Sequence, residues 1–121
     1  APGCGDCPSM LALGDLGADA QRRLAATGTL APVDVVKVSH HGSADQYDAL
    51  YTELGAPIAL IGVGADNTYG HPAPALLALL ESAGSTVVRS DVHGLALLAP
   101  AGSGSSALQL WTERGGVGAP R

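Results

Sequence analysis

The run Val35-Val36-Lys37-Val38-Ser39, followed at once by His40-His41-Gly42-Ser43, constrains this chain more than any other stretch. Successive β-branched residues favour a buried strand. An abrupt switch to two imidazoles, a Gly and a Ser is how such a strand delivers side chains to the rim of a sheet. Imidazole is also the commonest protein ligand for zinc and similar ions. The same pattern occurs at Leu11-Ala12-Leu13-Gly14-Asp15. It occurs again where Pro57 to Val63 leads into Asn67-Thr68-Tyr69-Gly70-His71-Pro72. Each apolar run ends in polar or metal-binding residues, so their ends are expected to converge on one rim.

The elements follow from periodicity and punctuation. Met10 to Gly14 reads as a short strand and Gly17 to Ala26 as a helix stopped near Gly28. Val33 to Ser39 is a strand with Lys37 as its one charge. Asp45 to Leu54 is a helix capped by Asp45 or Ser43 and closed by Gly55. Pro57 to Val63 is a strand, and Pro74 to Ala83 is a helix with Pro in its first turn and Gly84 as its stop. Thr86 to Ser90, Leu95 to Ala99 and Leu108 to Thr112 complete the strands. Alternating strands and helices followed by strands alone predict an α/β layered fold: a mixed sheet, buried mostly on one face under its helices. Positions 1–8 read as a linker, 9–113 as the folded unit and 114–121 as a flexible tail.

Composition excludes several classes. With no Phe and 3% aromatics, the core must be built from Leu, Val, Ile and Ala. A net charge of −5 offers no broad counterion release on DNA, so the chain as a whole is not a nucleic-acid grip. No apolar stretch approaches the roughly 20 residues of a membrane helix, and no signal peptide is visible. The chain begins without Met and is expected to be a fragment or a processed segment. Cys4 and Cys7 form a lone Cys-x-x-Cys, read either as a local disulfide or as two free thiols.

Each candidate residue has a chemical and a structural reading. Asp15, after Gly14, can present its carboxylate to a metal or can cap the following helix. If strand geometry persists, His40 and His41 point to opposite sides, one toward a metal and one toward substrate. Ser43 lies outside any Gly-x-Ser-x-Gly elbow, which favours a cap or a phosphate contact over a nucleophile. Asn67, Tyr69 and His71 can bind an anionic substrate or can form a packed turn before Pro72. Asp91 and His93 are explained by a hairpin turn ending at Gly94, with Asp91 also open to a substrate contact. Arg89 is a phosphate contact or an exposed strand arginine.

Taken in order, Ser9 to Asp15, Val35 to Ser43, Gly62 to Pro72 and Arg89 to Gly94 resemble the C-terminal metallo-β-lactamase-like domain of the ComEC family of DNA-internalisation competence proteins. Ordered motifs weigh more than any one alone. The resemblance spans roughly Ser9 to Ala99. It implies the second half of an αββα sandwich with a site for two divalent ions, zinc or manganese, at its edge. It makes Asp15 and His40 metal ligands and counts Asp15, His40 and His41 as catalytic. Ser43, Asn67, Tyr69, His71 and Asp91 then face substrate. The implied reaction is attack of metal-activated water on a phosphodiester of DNA during uptake. The implied setting is a soluble domain on the extracytoplasmic face of a bacterial membrane protein. Its partners are DNA, the membrane-spanning region of the parent and the first half of the same domain. The His-x-His-x-Asp-His motif of that fold does not occur in these residues, so the isolated chain is expected to be inactive. Ser90 stands where the family's usual Thr precedes Asp91. A small-molecule hydrolase of the same fold and a non-catalytic binding module are the competing expectations.

Overall fold

The computed structural model describes residues 7–102 and 107–115. Four strands form one sheet: β1 (Met10–Ala12), β2 (Val35–Lys37), β3 (Ile58–Ile61) and β4 (Thr86–Arg89). They lie in sequential order and every neighbouring pair is parallel. Each crossover carries a helix: α1 (Ala18–Ala26), α2 (Asp48–Leu54) and α3 (Pro74–Ser82). A short helix, α4 (Ser90–His93), leads into a separate antiparallel pair, β5 (Ala96–Pro100) and β6 (Leu108–Thr112).

The expected single mixed sheet is therefore two sheets, one wholly parallel and one a hairpin. The strands are also shorter than the apolar runs suggest, because Val38, Val63 and their neighbours already belong to the loops at the rim. The expectation of one buried face is corrected as well. Val36, Val38, Ala59 and Ile61 pack with Leu50, Tyr51, Leu54, Leu76 and Leu80 of the helices. On the opposite face, Val35, Ile58 and Val88 pack against Ala96, Leu98, Leu108 and Leu110 of the hairpin. Burial on both faces explains why β2 and β3 read as continuous apolar runs rather than alternating ones. Full burial of one such side chain contributes about 1.5–3 kcal/mol. Toward β1 the hairpin face opens, and Met10 is 55% exposed.

Helix ends differ from expectation in one instructive way. Neither Ser43 nor Asp45 caps α2, whose N-cap is Tyr47 without a side-chain bond. Asp45 instead accepts from Ala18 N at 3.1 Å, across at the start of α1. A Cβ at Gly17 would overlap that carboxylate, so a larger residue there would turn Asp45 away from Ala18 N. Asp15 caps nothing, since the N-cap of α1 is Gly17 and bears no side chain. Gly55 ends α2 with φ 53°, as expected. Cys7 is in a disulfide, and Cys4 lies outside the described residues, as do positions 116–121 of the expected tail.

Candidate functional site at the carboxyl rim

Because β1 to β4 are parallel, their carboxyl ends share one edge, where open α/β sheets bind ligands. The loops after β1, β2 and β3 are bonded together there. His40 N donates to Gly14 O at 2.8 Å, which sets Asp15 beside the histidine pair. Ala73 N donates to Gly42 O at 2.7 Å and brings the segment bearing His71 against the same pair. The rings of His40 and His71 meet edge to face with centroids 5.8 Å apart. Tyr69, 83% exposed, lies 6.1 Å beyond His71.

The histidine pair does not continue the strand. His40 (φ 48°, ψ 49°) and His41 (φ 55°, ψ 25°) are both left-handed, and Gly42 follows at φ 80°. The expectation that the two rings alternate across a strand fails for this reason. Left-handed backbone costs a residue with a Cβ about 1–2 kcal/mol. Two in succession persist only where surrounding bonds overdetermine them, which is a mark of functional loops. His41 Nδ1 bonds Gly62 O at 2.6 Å. A carbonyl only accepts, so Nδ1 carries the proton and Nε2 is the nitrogen left for a ligand.

Beneath the pair lies a buried polar network that was not read from the sequence. Gln21, fully buried, donates to Leu16 O at 2.7 Å and to Gln46 Oε1 at 2.8 Å, and accepts from Tyr47 N. Gln46 Nε2 donates to Ser39 O and Ser43 O, the residues on either side of the histidines and Gly42. Tyr51 donates to Gln46 Oε1 at 2.6 Å, and Ser39 Oγ donates to Leu16 O. Burial pushes the Tyr51 phenol up to about 12, against the smaller opposing effect of the Ser39 N–H. Among the described residues no buried side-chain polar atom lacks a partner. A network satisfied in this way rigidifies what it holds. The sequence cue is slight: Gln46 stands three residues after the Ser-His-His-Gly-Ser run, and Gln21 is the one polar uncharged side chain of α1.

The remaining candidates are placed less openly. Ser43 is buried, and its Oγ accepts from Asp45 N at 3.3 Å. Asn67 closes its own loop: Nδ2 donates to Gly64 O and His71 O, and Oδ1 accepts from His71 N. Asp91 is not in a hairpin turn but in α4, where both its oxygens accept from Arg89. That bidentate bond holds the Asp91 carboxyl below the usual carboxylate range. His93 Nδ1 accepts from Arg89 N at 2.9 Å, a structural role. Ser90 Oγ pairs with both N and O of Val63, tying the ends of β3 and β4.

Among the described residues no three His, Cys, Asp or Glu side chains stand close enough to hold a metal ion. The implied two-metal centre does not fit these residues on their own.

The chain is 31% identical over 87 residues to ComE operon protein 3 of Bacillus subtilis (strain 168). The similar region covers 71% of this chain but 11% of that protein. No family model and no solved structure matches the chain. No helix among the described residues is long and apolar enough to cross a membrane.

Proposed function

We propose that the chain is the second half of a metallo-β-lactamase-like domain that cleaves a phosphodiester of DNA during its uptake. The observation that carries this reading is the convergence of three loops at one rim. They bear Asp15, the strained His40-His41 pair and His71, above a buried network that holds the backbone on either side of that pair. The resemblance to ComE operon protein 3 supports the link to competence. In this reading Asp15 and His40 are two donors of a zinc or manganese centre. Other donors come from the first half of the domain, on the extracytoplasmic side of the membrane-spanning parent. Such ions would supply activated water and charge stabilisation. This chain's own part is to fix His40 and His41 and to hold His41 Nε2 outward.

A second reading, a binding module without metals, is favoured by the absence of three convergent ligands among the described residues. DNA cleavage by the full-length parent separates the two. With manganese or zinc supplied, the wild type should cut DNA, and Asp15→Ala or His40→Ala should reduce cutting to background. A parent that is inert with either ion would leave the binding module as the account.

A further inference from the structure

Lys37, the chain's single lysine, stands at the carboxyl end of β2, in register between Ala12 and Leu60. It is half-buried, and among the described residues no carboxylate forms an ion pair with it. Its hydrogen bond goes to the adjacent Val38 carbonyl at 3.2 Å. Arg22 and Arg89 pair with Asp19 and Asp91, and Arg114 reaches the Asp91 carbonyl. A partly buried lysine without a carboxylate is costly, all the more conspicuous in a chain of net charge −5 with acids to spare.

The position of the ammonium gives that cost a purpose. The Lys37 side chain folds over the strand end onto Gly62, where a Cβ would lie 3.5 Å from Cε and 3.7 Å from Nζ. The carbonyl of the same Gly62 holds His41 Nδ1. Lys37 and His41 therefore flank one residue, and among the described residues no carboxylate pairs with the cation at the rim.

We infer that Lys37 Nζ is the anion-binding group of the rim, holding a non-bridging oxygen of a nucleic-acid phosphodiester beside His41. An ammonium is a compact point charge suited to a single phosphate oxygen. The choice of a phosphodiester as the anion rests on the proposed function. The binding itself does not require metal.

The test uses the full-length parent and a short oligothymidylate, with chelator present so that no cleavage occurs. Lys37→Gln, which keeps a hydrogen-bond donor but not the charge, should weaken binding about tenfold. It should also lower the slope of log affinity against log salt by about 0.7, one single-strand phosphate contact. Lys37→Arg should restore most of the affinity. In the wild type, the His41 ring resonances should move on titration, a readout independent of whether the variant folds. Unchanged affinity in Lys37→Gln, no binding by the wild type, or a static His41 would each overturn the assignment. If the wild type binds through Lys37 but never cuts with manganese or zinc, the phosphodiesterase reading fails and this one stands. If it cuts while Lys37→Gln leaves affinity and KM unaltered, the reverse holds.

Discussion

His40 and His41 are held left-handed by groups beneath them, and the residues most exposed to test are the ones that leave no room. Gly42 combines φ 80° with a position where a Cβ would lie 2.6 Å from Pro72 Cβ and 3.0 Å from Pro72 Cα. Gly28 has a similar φ of 70° but open space around it. Gly42→Ala should therefore cost about 3 kcal/mol in urea unfolding, from backbone strain plus overlap, and Gly28→Ala about 1. Equal costs would mean that the loop yields freely. Tyr51 supplies a second test. Its phenol is raised from 10.0 to about 12, so the folded state keeps a proton that the unfolded state has lost. Its contribution is intact below the unfolded value and is lost as pH rises through the folded one. Stability should fall between those values by at most about 1.4 kcal/mol per pH unit from this group. Tyr51→Phe should flatten that slope in denaturant titrations across the alkaline range. At this scale the sequence exposed the imidazoles and the carboxylate but not their backbone. Left-handed geometry at His40 and His41 is set by bonds to Gly14 and Gly62, both distant along the chain, and by Gln46, which holds Ser39 O and Ser43 O on either side of them.

The elements follow local rules closely, because each apolar run is bounded by Gly, Pro or a charge. Strand existence, α3 from Pro74 and the glycine stops were all legible. What was not legible was pairing. Nothing in Leu95 to Thr112 distinguishes a continuation of the parallel sheet from a hairpin folded back upon its other face. That choice is made by burial: Leu98, Leu108 and Leu110 gain cover only by packing on Val35, Ile58 and Val88. Asp91 likewise lies in one helical turn rather than the expected hairpin turn, because its bond to Arg89 favours that turn and no local signal announces it. The two cores should differ in worth. Leu54, fully buried between helices and sheet, should cost about 4 kcal/mol when changed to Ala, and the partly exposed Leu110 about 2. Hydrogen exchange should agree, with amides of β2 and β3 protected near the global limit and those of β5 and β6 opening sooner. Equal protection would show that the hairpin and the sheet unfold as one.

At the scale of the whole molecule, one rim carries the candidate chemistry and one face stays apolar. Leu95, Leu97 and Trp111 are 58%, 56% and 53% exposed on the outer side of the hairpin. They give the apolar surface that a first half-domain would cover in the proposed arrangement. The incomplete ligand set and the uncovered face are the same prediction seen twice: this chain contributes part of a site and part of a sandwich. Metal content tests that claim most directly. The full-length parent, dialysed against zinc or manganese and analysed by elemental mass spectrometry, should retain about two ions per chain. Asp15→Ala or His40→Ala should lower that number, and the 121-residue chain alone should retain none. A parent that stays free of metal, or a His40→Ala variant that keeps its full complement, would contradict the account.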